Sequence, residues 1–181
     1  MTERETLYSK SLVEEALNSA ARDILRRSAD LPALVGVRRG GVKLMNRVRA
    51  ILEKLSGKTL NHGVVDINLY RDDWTLARSF PKVGPTEIPF SLEGKRVLLI
   101  DDVLYTGRTI RAALEALSEF GRSARVELFV LVDRGHREMP IKADYAPFVI
   151  GTDKDEIVEV RFDGDDAEVV LTRASKAVSP A

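Results

Sequence analysis

The chain has 181 residues, of which 44% are hydrophobic, with 28 basic and 28 acidic side chains and no cysteine. This length and composition suit one folded domain with a substantial core and argue against disorder. A net charge of zero lacks the basic excess common in nucleic-acid-binding proteins, so any RNA site would be a local patch. The absence of cysteine excludes disulfides and thiolate metal sites.

Membrane and targeting signals are missing from the sequence. No apolar stretch approaches the roughly 18 to 20 residues that span a bilayer, and the charged start from Met1 to Glu5 is unlike a secretory signal. We therefore expect a cytoplasmic protein with no membrane partner. No repeat, low-complexity segment or linker divides the chain, so we expect a single domain over residues 1–181.

Helical spacing of apolar residues and short continuous apolar runs define the elements. In chain order we predict a helix over 11–27, a strand over 34–37, a helix from 40 to about 55 closed by Gly57, a strand over 64–70, a strand over 97–100, a helix from 109 to about 120 and a strand over 126–132. This alternation predicts an α/β fold with a mostly parallel sheet and helices on both faces. Ligands of such sheets bind outside the carboxyl ends of the strands.

Two arginines flanked by glycines follow the predicted strand over 34–37. The backbone amides and the guanidinium groups of Arg38 and Arg39 can hold an anion beside Gly40. Pyrophosphate fits that description. The alternative is a solvated surface pair of arginines.

A long segment containing proline and glycine follows Tyr70. A loop of this length inside a compact domain is usually a lid or a disordered segment, and we predict a lid over about 71–95. Trp74 is the only tryptophan of the chain. It is either a hairpin or interface anchor, or part of a lid that excludes water from the substrate.

The run from Val97 to Thr109 carries the most chemical information. An apolar strand ends in Asp101 and Asp102, and a turn rich in hydroxyl groups then opens a helix. Backbone N–H groups of residues 105–109 reach the start of that helix, where unpaired donors and the helix dipole favour an anion. The acids would repel a phosphate, so hydroxyls or a divalent metal are their expected partners. A ribose 5-phosphate satisfies both halves; the alternative is that the acids cap the helix or pair with local basic residues.

A third polar turn, Asp133 to Glu138, follows the predicted strand over 126–132. Its basic side chains can bind a phosphate, a base edge or an RNA backbone. No second metal ligand sits at a recognisable spacing from His136, which leaves little support for a metal site. The chain also lacks a Ser-His-Asp set, a Cys-His set and a Walker loop, so we expect chemistry without a covalent intermediate.

The acid pair followed by Thr-Gly-Arg-Thr resembles the signature that binds 5-phosphoribosyl-1-pyrophosphate (PRPP) in type I phosphoribosyltransferases. With the runs 35–41, 66–73 and 132–144, the chain resembles the PyrR family of bacterial pyrimidine-operon regulators, which also have uracil phosphoribosyltransferase activity. The resemblance covers about residues 12–145. It implies a type I phosphoribosyltransferase fold with a flexible lid and a small hood, the hood and C-terminal strands lying at about 144–175.

The resemblance implies transfer of the phosphoribosyl group from PRPP to uracil, giving UMP and pyrophosphate. Mg²⁺ would arrive on PRPP, with no metal held directly by the protein. The catalytic residues it implies are Asp101 and Asp102, which would hold the ribose hydroxyls, to which we add Arg71 at the lid edge. The resemblance implies 5-phosphate contacts from Val103, Leu104, Tyr105, Thr106, Gly107, Arg108 and Thr109. It implies pyrophosphate contacts from Arg39 and Gly40, which adjoin Arg38. We add Arg134 and Val149 as candidate base contacts.

The resemblance also implies regulation of pyrimidine genes, by attachment to leader mRNA in the presence of UMP or UTP (transcription attenuation). Candidate RNA contacts are Arg22, His136, Arg137 and Lys142. The first helix departs from the family, because Asn18 and Arg22 stand where Thr and His are frequent. The alternative is a phosphoribosyltransferase or a PRPP or nucleotide sensor without RNA regulation. The family suggests homodimers, possibly paired into tetramers.

A second departure lies in the expected hood. Family members usually continue after Asp144-Tyr145 with Val-Gly-Lys-Asn-Ile or Val-Pro-Thr, whereas this chain has its own sequence over 146–152, including Pro147, which lacks a backbone donor. The choice of base is therefore the property that this departure is most expected to change.

A response-regulator-like domain is an alternative from a different class, because it also carries an acid pair after a parallel strand. In that fold the acids follow the first strand, whereas here they lie in the middle of the chain before Thr-Gly-Arg-Thr.

Overall fold

The computed structural model describes residues 2–67 and 86–174. Its elements, in chain order, are β1 (Thr2–Tyr8), α1 (Lys10–Arg27), β2 (Ala33–Val37), α2 (Gly40–Ser56), β3 (His62–Val65), β4 (Arg96–Leu104), α3 (Arg108–Leu117), a 3₁₀ turn (Ser118–Phe120), β5 (Arg125–Asp133), β6 (Phe148–Val149), β7 (Ile157–Asp163) and β8 (Asp166–Ala174). Within these two ranges, no helix has both the length and the apolar character needed to cross a membrane.

The central sheet has five strands in the order β3-β2-β4-β5-β6, and every neighbouring pair is parallel. All five residues of β2 are buried, which is typical of a parallel strand covered on both faces. This arrangement confirms the predicted α/β architecture.

Helices cover both faces of this sheet and divide the core in two. On one face, α1 and α2 pack Leu17 and Leu44 against Leu98 and Phe129 of the central strands. On the other face, α3 packs Ile110 against the apolar side chains of β2, β4 and β5. Gly57 ends α2 in the left-handed conformation with φ 66°, and its N–H donates to the Glu53 carbonyl, as the sequence predicts for a helix C-terminus.

A second, antiparallel sheet has the order β1-β8-β7. Its C-terminal strands lie in the region predicted for the hood, but β1 was not predicted from the sequence. The reason is physical: β1 is an exposed edge strand whose alternating charged residues give little apolar signal. At its end the Tyr8 ring stacks on Phe148 of β6, with centroids 3.8 Å apart, so this sheet contacts the last strand of the central sheet.

The predicted lid and the strand before it need one correction. β3 ends at Val65, and residues 68–85, which include Arg71, Trp74 and most of the predicted lid, lie outside the described residues. The remainder of the predicted lid, residues 86–95, is anchored to the core. Ile88 and Leu92 are buried against β2, β4 and α3, because their apolar side chains fill the edge of the second core.

Candidate active site

Three polar turns lie side by side at the carboxyl edge of the central sheet. They follow β2, β4 and β5, which are neighbours in the sheet, and they correspond to the three turns singled out in the sequence. The strand β4 runs to Leu104, so Asp101 and Asp102 belong to the strand and do not follow it as predicted. The extra length carries both carboxylates to the edge where the turns meet.

The turn after β2 and the acid pair are built against each other. A Cβ atom at Gly40 would lie 1.9 Å from the Asp102 Oδ2 atom, and one at Gly41 would lie 2.4 Å from the Ile100 carbonyl oxygen. Only glycine allows this approach. The start of α2 therefore lies directly beside the acids, which brings the predicted pyrophosphate loop and the predicted ribose site together.

The two arginines of this turn face different surroundings. The Arg38 Nε atom lies 3.8 Å from Asp66 Oδ2, and an Nη atom lies 3.5 Å from Glu87, so this guanidinium is directed toward acids on the β3 side. The peptide bond between Arg38 and Arg39 is cis. Arg39 is exposed at the start of α2. Of the two, Arg39 is the one open to a ligand.

Asp101 and Asp102 have separate environments. Asp101 is 6% exposed, and burial, followed by the charge of Asp102, raises the pKa of Asp101 well above its usual value. The Asp102 N–H donates to Asp101 Oδ1 and the Val103 N–H donates to Asp102 Oδ1, each at 3.0 Å. In residues 2–67 and 86–174 neither acid pairs with a basic side chain, and Gly107, the N-cap residue of α3, makes no side-chain cap. The capping and local ion-pair alternatives are therefore not what the described chain shows.

The turn after β4 uses its carbonyls, and not its first N–H groups, in hydrogen bonds with the described protein. The Arg137 guanidinium donates to the carbonyls of Leu104 and Tyr105, and the Glu138 and Met139 N–H groups donate to the Thr106 carbonyl at 2.9 and 3.0 Å. Within the described ranges, the N–H groups of residues 105–107 donate to no protein oxygen. Unpaired donors at a helix start form an anion site, so the turn has the polarity predicted for a 5-phosphate loop.

Gly107 is needed for this loop. Its φ of 90° is in the left-handed region, and a Cβ atom there would lie 3.1 Å from the Met139 Cβ atom. At the start of α3, the exposed Arg108 side chain lies on Glu138, with 2.7 Å between Nε and Oε2. Glu138 is a residue that the sequence-based reasoning did not assign, because its partner lies 30 positions away.

The side chains of the turn after β5 are used inside the protein. Arg137 pairs with Asp133 and also donates to the Ile141 and Gly135 carbonyls, at 3.1 and 3.0 Å. The His136 Nε2 atom lies 2.6 Å from the Thr152 carbonyl oxygen. Arg137 therefore holds the turn and the 5-phosphate loop together, which is a role that its predicted RNA contact did not include.

The two predicted base contacts differ in exposure. Arg134 is 6% exposed and directs its donors to Thr152 and Asp153, while Val149 is 73% exposed at the end of the central sheet. Val149 lies on β6 and pairs with Asp133, the last residue of β5. It therefore lies at the same edge of the sheet as the acids. Val149 is thus placed where a base could contact it, whereas the donors of Arg134 are already engaged.

The predicted RNA contacts fall into two groups. Arg22 on α1 and Lys142 are exposed, and neither forms an ion pair with another described residue. His136 and Arg137 are partly buried and hold internal contacts. The side chain of Asn18 donates to Glu14 on the same helix, at 2.8 Å to the carbonyl. Arg22 and Lys142 are therefore the two basic candidates that are open to a partner.

The sequence pattern of the phosphoribosyl transferase domain family matches residues 3–163 of the chain. A bifunctional protein PyrR of Elusimicrobium minutum is 45% identical over 166 residues, which cover 89% of this chain and 93% of the relative. A bifunctional protein PyrR of Geobacter sulfurreducens is 49% identical over 165 residues, which cover 89% of this chain and 93% of the relative.

Solved structures of purine enzymes share the fold. A hypoxanthine phosphoribosyltransferase of Trypanosoma cruzi superimposes with a TM-score of 0.68 at 17% identity, covering 91% of this chain and 90% of that one. One from Staphylococcus aureus gives 0.65 at 22% identity, covering 84% and 80%. At these identities the likeness shows the fold, which is the type I phosphoribosyltransferase fold expected from the sequence.

Proposed function

The chain belongs to the PyrR family of phosphoribosyltransferases, and we propose that it joins the phosphoribosyl group of PRPP to uracil at the carboxyl edge of its sheet. Members of this family are uracil phosphoribosyltransferases and regulators of pyrimidine operons. The observation that carries the proposal is the 5-phosphate loop beside the pair Asp101-Asp102, because its N–H groups at 105–107 donate to no acceptor among residues 2–67 and 86–174.

The reaction breaks the bond between the anomeric carbon of the ribose and pyrophosphate. A new bond then joins that carbon to N1 of uracil, which loses its proton, giving UMP. Positive charge develops on the sugar and negative charge on the leaving group. Carboxylates beside the sugar and cations beside the leaving group stabilise this separation in a site that excludes water. Asp101 and Asp102 would supply the carboxylates beside the sugar. Arg39 would supply a cation beside the leaving pyrophosphate.

Binding at three points would orient the substrate for this step. The N–H groups of residues 105–107, with the Thr106 and Thr109 hydroxyls, would hold the 5-phosphate. The acids would accept hydrogen bonds from the ribose hydroxyls, and the start of α2 would meet the pyrophosphate. Gly40 lies against Asp102, so the ribose and pyrophosphate positions adjoin, as they do in PRPP itself. Positioning of this kind accounts for much of the rate of reactions without a covalent intermediate.

The residues present fit a magnesium ion that arrives with PRPP. Mg²⁺ prefers oxygen ligands and keeps several of its waters, binding through one or two carboxylates and substrate phosphates. Asp102 is a partly exposed carboxylate beside the pyrophosphate loop, and no group of three His, Cys, Asp or Glu side chains converges within the described ranges. The ion would neutralise charge on the departing pyrophosphate.

The regulatory half of the proposal rests on a smaller set of residues. Arg22 and Lys142 are exposed basic side chains that could contact the phosphates of leader mRNA when UMP or UTP occupies the site. The neutral net charge and the altered positions Asn18 and Arg22 favour the alternative, a phosphoribosyltransferase or nucleotide sensor without RNA regulation. A homodimer or tetramer is part of the same proposal.

Two experiments test the two halves separately. Calorimetry with Mg²⁺ and PRPP should show binding to the wild-type chain, and the double variant Asp101→Asn with Asp102→Asn should lose UMP formation. Unchanged uracil transfer in that variant would exclude the enzyme proposal. A gel shift with the leader RNA of the adjoining pyrimidine genes, with and without UMP, tests regulation. The absence of a UMP-dependent shift at moderate salt would leave the enzyme without the regulator.

A further inference from the structure

Arg134 occupies an unusual position for a charged side chain. It is only 6% exposed, and no carboxylate of the described residues forms an ion pair with it. A buried cation is unfavourable unless other groups replace its hydration. Among the described residues, the hydrogen-bonding and aromatic groups that contact it belong to two parts of the active site, the 5-phosphate loop and the hood segment, which we define as residues 146–153. The Glu156 carboxylate adds an electrostatic interaction beyond ion-pair distance.

On the hood side, Arg134 and Thr152 hold each other. The Arg134 Nε atom donates to Thr152 Oγ1 at 3.1 Å, and a terminal nitrogen donates to the Asp153 carbonyl at 2.8 Å. The Thr152 hydroxyl donates in turn to the Arg134 carbonyl at 3.3 Å. The His136 ring, 2.6 Å from the Thr152 carbonyl oxygen, adds a third contact to Thr152. Residues 134 and 136 thus hold the end of the hood segment, where the Asp153 N–H also donates to Glu156 Oε2 at 2.8 Å.

On the phosphate side, the same guanidinium covers an aromatic ring. The Arg134 Cζ atom lies 4.2 Å from the centroid of the Tyr105 ring, and the His136 ring meets that ring edge-on at 5.7 Å and 71°. The Arg134 N–H also donates to the Leu104 carbonyl at 3.0 Å. Tyr105 belongs to the loop whose N–H groups have no acceptor in the described part of the chain, so its ring joins that loop to the guanidinium.

We propose that Arg134 is a positioning residue that couples the 5-phosphate loop to the hood segment through Tyr105. A phosphate bound by the N–H groups of residues 105–107 would fix the Tyr105 ring, and the fixed ring would hold Arg134 against Thr152 and Asp153. Occupation of the phosphate loop therefore orders the segment that covers the base. Because coupling is reciprocal, a bound base strengthens phosphate binding by the same factor. This inference rests on the proposed function, since it assigns a ligand to each end.

The test uses the full chain and ribose 5-phosphate, which can occupy the phosphate loop without a base. In the wild type, this ligand should slow amide hydrogen exchange across the hood segment. Tyr105→Leu and Arg134→Lys should each abolish that slowing. Tyr105→Phe keeps the ring under the guanidinium, so the slowing of exchange should persist in this variant. Arg161→Lys is the control for Arg134→Lys, because Arg161 is a partly exposed arginine on β7 whose partner is Glu159 at 3.5 Å.

Affinities separate coupling from a direct contact between Arg134 and the base. Tyr105→Leu and Arg134→Lys should each weaken the binding of UMP, relative to that of ribose 5-phosphate, by about tenfold, or about 1.4 kcal/mol. The double variant should lose no more UMP affinity than the weaker-binding single variant. Full additivity, or a loss in Arg134→Lys alone, would overturn the coupling. If Arg134→Lys fails to fold, Tyr105→Leu and the wild-type exchange data still decide.

The failures of the two proposals are distinguishable. Ribose 5-phosphate that binds the wild type without slowing exchange in residues 146–153 would overturn the coupling and leave the enzyme assignment intact. A chain that binds neither PRPP nor ribose 5-phosphate in calorimetry would overturn both. Slowed exchange without any UMP formation would support the coupling and reject uracil as the base.

Discussion

The carboxylate of Asp102 occupies the space where Gly40 would carry a side chain, with Oδ2 only 1.9 Å from the position of a Cβ atom. The start of α2 and the end of β4 therefore depend on each other. Glycine at position 40 is required by this approach and not by a left-handed backbone, because the φ angle of Gly40 lies outside the left-handed region. The turn after β2, where we propose that pyrophosphate binds, can reach the acids only because Gly40 has no side chain.

Gly40→Ala should therefore damage the site without unfolding the chain. Either the Asp102 carboxylate or the start of α2 must move, and a displacement of about 1 Å in a reacting group can lower the rate by about 100-fold. Steady-state kinetics with PRPP measures this loss. Gly57→Ala, at the other end of the same helix, is the matched control. Its φ of 66° makes alanine destabilising, but no atom of the described residues lies within 4 Å of the new Cβ, so its kcat/KM should stay at the wild-type value.

Asp101→Asn should raise thermal stability at neutral and alkaline pH while abolishing UMP formation. Burial, and then Asp102, raises the pKa of Asp101 in the folded chain well above its unfolded value. The native state therefore binds more protons than the unfolded state between these two values, and stability falls as pH rises through that window. The asparagine has no charge to bury. For a chain of this size, each kcal/mol corresponds to about 2–4 °C in Tm.

Melting curves from mildly acidic to alkaline pH measure the effect. The wild-type Tm should decline toward high pH more steeply than that of Asp101→Asn. A variant that is less stable than the wild type throughout, or that retains uracil transfer, would contradict the prediction.

Variants of Arg137 and Lys142 should have different effects on PRPP kinetics and on RNA binding. Arg137 donates to the Leu104 and Tyr105 carbonyls, so Arg137→Met should loosen the 5-phosphate loop and raise KM for PRPP by about tenfold. Lys142 is exposed and has no ion pair with a described residue, so Lys142→Met should leave PRPP kinetics unchanged. If Lys142 contacts an RNA phosphate, its variant should also reduce the salt dependence of RNA binding by about one unit of slope. Unchanged PRPP kinetics in Arg137→Met would remove the loop contact from the account.

The buried pair Arg96–Glu127 should dominate the stability of the opposite edge of the sheet. Glu127 is 1% exposed, pairs with Arg96 and accepts from the Tyr145 hydroxyl at 3.1 Å. Glu127→Gln leaves the buried guanidinium without its charge partner and should cost about 3–5 kcal/mol of unfolding free energy. Denaturant unfolding measures this value.

Arg125 provides the control for that prediction. Its side chain is 62% exposed and lies 3.2 Å from the other Glu127 oxygen. Arg125→Gln should cost about 0–1 kcal/mol, because an exposed ion pair is screened by water. Equal losses in the two variants would show that burial does not set the strength of this cluster.

The sequence predicted the elements whose signal is local. Apolar periodicity identified α1, α2 and the strands of the central sheet, and the three polar turns were correctly placed at one edge because parallel strands align their carboxyl ends. The strand β1 escaped, since an exposed edge strand has no apolar period. The predicted end of β4 was too early, because two adjacent carboxylates in a sequence are typical of the end of a buried strand.

The roles of single basic side chains could not be predicted in the same way. Arg134 and Arg137 were expected to face ligands, yet their donors go to groups 18 and 32 positions away, Thr152 and the Tyr105 carbonyl. No local spacing reports such contacts. The sequence did indicate that these residues lie at the carboxyl edge of the sheet. There their side chains hold neighbouring segments together.

Transfer from PRPP to a panel of nucleobases in the presence of Mg²⁺ tests the central claim most directly. The claim is that this chain is a uracil phosphoribosyltransferase despite its own sequence over the hood segment. UMP should form from uracil, with kcat/KM about 100-fold or more above that for cytosine, hypoxanthine or guanine. Nucleotide formation from a purine base with none from uracil would contradict the account.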